Sequence, residues 1–239
     1  MACRLARGAV VNFHKYYPDI KVILADDGTL DESGHEVYNS AYNRDAHNAK
    51  ERKDLDVEKL KNLPNTQLLL FKNHMGHGFT LDRVLPHVKT DLMLTMDSDI
   101  RITEEGSIEQ YLEEFNKDSE NIYSVGATIG DFFCDNNGKI NYSWISPSFA
   151  LWNMEPLRRY ARLSFSNFIY SVAGGHWGTG ACLCKQLETS EIHRPRKPYK
   201  AVHIANEVEQ VPHVYHMRKF SNDSSEEERY KKWEELIDG

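Results

Sequence analysis

The chain has 239 residues, with 29 Lys and Arg against 36 Asp and Glu, a formal net charge of −7, and 40% hydrophobic residues. That length suits one full-sized domain or two small ones, and that apolar fraction is enough for a core, which excludes wholesale disorder. No apolar run approaches the roughly 18–20 residues that span a bilayer, no signal-peptide stretch follows the first basic residues, and the negative balance argues against general nucleic-acid binding. The expectation is a cytoplasmic, single-domain protein.

In chain order, 4–17 predicts a helix, with Leu5, Val10, Val11 and Phe13 on its apolar side. Tyr17-Pro18-Asp19 ends it, and the β-branched-rich run 20–25 predicts a strand leading into Asp26-Asp27-Gly28. The polar stretch 31–63 reads as mostly helical and is closed by Pro64-Asn65. A strand at 66–71, a helix at 79–88 and a buried strand at 91–96 follow. Ile108, Tyr111, Leu112 and Phe115 recur at helical spacing, which predicts an amphipathic helix over 104–116. Another strand is expected at 121–129. Beyond it the pattern weakens into a region, up to Val214, rich in Gly, Pro, His and aromatics, and a terminal helix is expected at 226–237. Short strands alternating with helices predict an α/β fold with an open, mostly parallel sheet flanked by helices. Cys182 and Cys184 lack a partner pair at zinc-site spacing and read as buried thiols.

The sharpest chemical feature is Asp97-Ser98-Asp99, directly after the strand at 91–96. Ligands of open α/β sheets sit outside the carboxyl ends of strands, so both carboxylates are expected to face a crevice. Two Asp at i and i+2 can share a hard cation, Mn²⁺ or Mg²⁺, whose other ligands are substrate phosphate oxygens. Asp26-Asp27-Gly28 also follows a strand, and its acids can accept hydrogen bonds from base N–H or ribose hydroxyl groups. Asn73-His74-Met75-Gly76-His77-Gly78 opens a helix, where glycine permits close backbone approach and the helix N-terminus favours an anion. Each motif alone also fits a plain solvated turn. Arg194, Arg196, Lys197 and Lys200 form a Pro-flanked basic stretch suited to a diphosphate. Gly174-Gly175-His176-Trp177-Gly178-Thr179-Gly180 sets glycines around an aromatic platform, and Trp152 and Trp177 are the candidate acceptor-binding rings.

Taken in order, strand-DDG, strand-NHMGHG-helix, strand-DSD is similar to glycosyltransferase family 2 on the GT-A fold, over residues 5 to about 125. The resemblance implies a metal-dependent, inverting transfer of a sugar from a nucleotide-diphosphate donor, a UDP-sugar being favoured, to a hydroxyl of a glycan or other acceptor. Asp26 or Asp27, with Gly28, would read the base. Gly76, His77, Gly78 and Asp82 would line the nucleoside pocket. Asp97, Ser98 and Asp99 would meet the diphosphate, with Asp97 and Asp99 bridging the metal. The stretch 211–216 resembles the late strand whose His completes such a metal site, with His216 favoured over His213 because the cationic Met217-Arg218-Lys219 follows it. Arg194, Arg196 and Arg218 would bind the donor.

The implied architecture is one domain over 1–239, with the donor side in about 1–125 and the acceptor side in about 126–239. Two departures stand out. The family's first strand, one wall of the base pocket, has no counterpart before the first helix, so either the chain is truncated or another segment fills the slot. No acidic pair supplies the base that deprotonates the acceptor, which leaves His176, Asp131 and Glu207 as candidates. These departures keep open a non-catalytic nucleotide-sugar- or glycan-binding relic of the fold. A phosphohydrolase with Asp97 as nucleophile is the further alternative.

Overall fold

A computed structural model describes residues 2–27, 60–71, 75–129, 143–160, 163–166, 179–188 and 198–216. Expectations for Gly28, most of 31–63, Asp131, His176, Trp177, Arg194, Arg196, Arg218 and the helix at 226–237 lie outside these residues. The chain separates into two units, one holding the described residues up to Gly76 and the other running His77–His216.

In the first unit, α1 (Ala2–Tyr16) buries Ala9, Val10 and Phe13. Tyr17 N–H still donates to Phe13 O at 2.9 Å, and Pro18, which has no N–H, ends the helix. Ile20 belongs to the turn that follows: its N–H reaches back to Tyr17 O, and the residue is 41% exposed. The strand therefore starts later than its sequence suggests, as β1 (Val22–Asp26), and pairs in parallel with β2 (Thr66–Leu70) from Val22↔Thr66 to Asp26↔Leu70. Leu24, Leu68 and Leu70 pack with Leu63 around the buried Leu60. Asn65 turns the chain into β2 with a φ of 46°, which Asn tolerates better than most residues, and its side-chain amide donates to Pro18 O at 2.8 Å.

The second unit carries α2 (His77–Val84), a 3₁₀ turn Leu85–His87 around Pro86, and β3 (Leu92–Met96). Then follow β4 (Ile100–Ile102), α3 (Ser107–Asn116), β5 (Ile122–Ile129), β6 (Trp144–Asn153), α4 (Met154–Arg159), α5 (Ala181–Glu188), β7 (Lys200–Ala205) and β8 (Val214–His216). The helix expected from 104 begins at Ser107, because Gly106 takes a left-handed φ of 101°. Its Ile108, Tyr111 and Phe115 are buried as the spacing predicts. The main sheet has the order β3-β6-β5-β7. β3, β5 and β7 point the same way, and β6 alone runs against its neighbours. All of β6 except Ser148 is buried, with Phe149, Ala150 and Trp152 fully shielded. Cys182 and Cys184 are buried thiols, and burial pushes Cys184 up to about 12, so it is inert at neutral pH.

Candidate functional site

The acidic turn grows out of β3. Met96 pairs with Phe149 of β6, and Asp97 N–H extends that ladder to Ser148 O at 2.8 Å. The chain then turns tightly: Ile100 N–H donates to Asp97 O at 3.1 Å, leaving Ser98 and Asp99 at the tip. Directly after the tip, β4 pairs antiparallel with β8 in the register Ile100↔His216. This pairing brings a residue from the far end of the unit beside the turn. His216 Nε2 lies 3.5 Å from Asp99 Oδ2, and His216 Nδ1 lies 2.8 Å from Glu209 Oε1. On the other carboxylate, His77 Nε2 at the start of α2 stands 3.4 Å from Asp97 Oδ1. Each carboxylate of the turn therefore faces an imidazole.

Burial alone would lower the His216 pKa, but hydrogen bonding and charge from Asp99, then from Glu209, outweigh it, and the net shift is upward. Arg101 stands behind the turn with none of its surface exposed. One guanidinium nitrogen donates to Ser98 O at 3.1 Å and to Ile100 O, so the cation staples the backbone of the turn. Burial pulls Arg101 down to about 9 against the opposing charge of Asp99, so it remains charged at neutral pH.

The donor atoms of Asp99 and His216, a carboxylate oxygen and an imidazole nitrogen, suit Mn²⁺. Two ligands held at about 2.1 Å from one ion sit roughly 3 Å apart when at right angles, so their separation of 3.5 Å needs only a small closure. The expected trio of Asp97, Asp99 and His216 does not close as a set. Among the described residues no group of three His, Cys, Asp or Glu side chains could hold an ion. Asp99 and His216 make a two-ligand half-site that phosphate oxygens and water would complete.

Several predicted residues serve the protein itself. Asp82 O atoms accept from Ser164 Oγ at 2.5 Å, Phe165 N–H at 2.7 Å and Ser166 N–H at 3.3 Å. Burial raises the Asp82 pKa, and those bonds oppose the rise. Gly78 belongs to the same contact: a Cβ there would lie 2.6 Å from Phe165 O, so the close approach that glycine permits is to protein backbone. In the first unit, Asp27 uses both oxygens on the Gly turn, accepting from Met75 N–H at 3.1 Å and Gly76 N–H at 2.8 Å. Gly76 has a φ of 96°, the left-handed region that favours glycine. Asp26 lies within β1, and its carbonyl accepts from Phe71 N–H at 3.0 Å. Glu207 is exposed and starts the 3₁₀ turn Val208–Gln210, its carbonyl accepting from Gln210 N–H.

Trp152 is a correction. The sequence suggests an acceptor-stacking ring, but Trp152 is fully buried. Its indole N–H donates to Thr95 Oγ1 at 2.9 Å, and Phe165 meets it edge-on at 4.8 Å between ring centroids. No face remains for a sugar. Trp144 is core as well, its indole N–H donating to Thr179 O at 3.2 Å. Conversely, Arg101 and Glu209 escape sequence reasoning. Arg101 sits in Ile-Arg-Ile, an alternation that signals an outward polar position, and Glu209 is one of many acids.

No known protein family and no curated protein matches the sequence. Solved structures do match the fold. A mannosyltransferase from Pyrobaculum calidifontis, solved in complex with GDP-Man and Mn²⁺, superposes with a TM-score of 0.52 at 11% identity over 86% of this chain. The chain spans about half of that protein, 52% of its length. The 4-diphosphocytidyl-2C-methyl-D-erythritol synthase from Anaerococcus prevotii DSM 20548 gives a TM-score of 0.51 at 10% identity, over 96% of this chain and 86% of that one. At these identities the likeness establishes the fold alone, and the chain has the α/β fold of the nucleotide-diphospho-sugar transferases.

Proposed function

We propose that the chain is a metal-dependent glycosyltransferase that moves a sugar from a nucleotide-diphosphate donor to an acceptor hydroxyl with inversion. The observation that carries this reading is the Asp97-Ser98-Asp99 turn at the end of β3, with His216 Nε2 at 3.5 Å from Asp99, in a nucleotide-diphospho-sugar transferase fold. The mannosyltransferase with the same fold binds GDP-Man and Mn²⁺, which supports a donor of that class and a divalent cation. Asp99 and His216 would hold the cation, and His77 at the N-terminus of α2, 3.4 Å from Asp97, would donate to a phosphate oxygen. A cation bound there supplies positive charge to the departing diphosphate. Of the base candidates, Glu207 is the one among the described residues, and it is exposed to an incoming hydroxyl.

The synthase supports a second reading. This chain spans 86% of its length, and it is a nucleotidyltransferase, so transfer of a nucleotidyl group competes with sugar transfer. Product analysis separates the two. With Mn²⁺ and a panel of UDP- and GDP-sugars, the transferase reading predicts release of a nucleoside diphosphate, lost by a factor of about 10² or more in Asp99→Asn. Release of pyrophosphate from a nucleoside triphosphate, with nucleotide-sugars inert, would establish the second reading instead.

A further inference from the structure

We infer that Glu209 is the positioning residue of His216: it holds the ring as the Nδ1–H tautomer and turns the Nε2 lone pair toward Asp99. This rests on the reading of Asp99 and His216 as a cation half-site. His216 Nδ1 stands 2.8 Å from Glu209 Oε1 while Nε2 stands 3.5 Å from Asp99 Oδ2, so the two ring nitrogens face different carboxylates. A neutral imidazole has one donor nitrogen and one acceptor nitrogen. A carboxylate at hydrogen-bonding distance from Nδ1 takes the proton side and leaves Nε2 as the electron-pair donor. Metal-ligating histidines commonly have such a partner, which fixes ring orientation and raises ligand basicity.

The carboxylate is held in place by its own element. The turn Val208–Gln210 is closed by Gln210 N–H to Glu207 O at 3.0 Å and by Val211 N–H to Val208 O at 3.1 Å. Val208, Val211 and Val214 are all buried and fix the segment between Glu209 and β8. Glu209 is therefore aimed by backbone packing, and its side chain is only 28% exposed. His216 is aimed independently by the β4–β8 pairing.

The test combines a tautomer measurement on the metal-free protein with a binding measurement. Nitrogen-15 spectra at alkaline pH, where the ring is neutral, should show His216 as the Nδ1–H tautomer. Glu209→Ala should move it toward Nε2–H, and Glu209→Gln, whose amide oxygen still accepts, should keep Nδ1–H. Mn²⁺ affinity, read from the free-ion electron paramagnetic resonance signal, should fall about 10–100-fold in Glu209→Ala and recover most of that loss in Glu209→Gln. Unchanged thermal midpoints would show that both variants are folded. An unaltered tautomer in Glu209→Ala overturns the inference, as does an altered tautomer with unaltered Mn²⁺ affinity. If the unsubstituted protein itself binds no Mn²⁺, or Asp99→Asn binds it equally well, the cation reading fails, and the tautomer arm still decides whether Glu209 aims the ring.

Discussion

His216 gives the acidic turn a testable pH dependence. Its pKa in the folded metal-free protein lies above the value near 6.5 of a free imidazole, because Asp99 and Glu209 favour the cation more than burial opposes it. A raised folded pKa means that the folded state binds the proton more tightly. The stabilisation is fully present below the unfolded pKa and disappears as pH rises through the folded one. Urea titrations of the metal-free protein should therefore show stability falling with rising pH across that window, and His216→Gln should flatten the slope there. An unchanged slope in the variant would remove His216 from this role. Asp97 and Asp99 are legible in the sequence because acids directly after an apolar run mark a strand end. Their partners are not, since no short-range pattern connects residue 99 to residue 216. Only the strand pairing Ile100↔His216 creates that neighbourhood. Arg101 is hidden for a different reason: an Arg between two Ile reads as solvent-facing, but all three residues of β4 are buried.

At the scale of elements, the segment 163–166 is tied to α2 by one carboxylate. Asp82 accepts Phe165 N–H on one oxygen and Ser166 N–H and the Ser164 hydroxyl on the other, and an amide in its place would keep one acceptor and turn N–H groups toward the donors on the other side. Asp82→Asn is expected to lose about 1–3 kcal/mol of unfolding free energy, although it removes a part-buried charge. Equal or greater stability in chemical denaturation would show that desolvation of Asp82 outweighs its bonds. Trp152 makes a complementary case. Its replacement by Ala empties a site packed by Phe165 and leaves Thr95 Oγ1 without its indole donor, for an expected cost of about 3–5 kcal/mol. A stable Trp152→Ala protein with only a raised acceptor KM would restore the ring to the acceptor site. Helices α1 and α3 are legible because one face of each is apolar. The strand β6 is not, because burial along nearly its whole length removes the alternation that marks a half-exposed strand, and Pro147 within it reads as a break.

At the scale of the molecule, the chain order of strand, acidic turn, strand, Gly turn, helix, strand and acidic turn is what makes the fold legible. Local order survives in sequence because each unit is a short run bounded by a turn. The later half is assembled by non-local pairing, with β6 inserted between β3 and β5, and β7 brought beside β5. No local signal announces those partners. No helix among the described residues is long and apolar enough to cross a membrane. Glycosyl transfer by this chain requires nucleotide and cation to bind as a coupled pair at the turn after β3. The direct measurement is thermal stability of the protein with UDP, GDP, CDP or TDP, each with Mn²⁺ or with a chelator. A ligand at 100 times its dissociation constant adds about 2.7 kcal/mol, which for a chain of this size raises the midpoint by roughly 5–10 °C. Such a rise is expected with one nucleotide, only when Mn²⁺ is present, and it should be lost in Asp99→Asn. No rise with any nucleotide in a folded sample, or a rise that is indifferent to both Mn²⁺ and Asp99, would contradict that coupling.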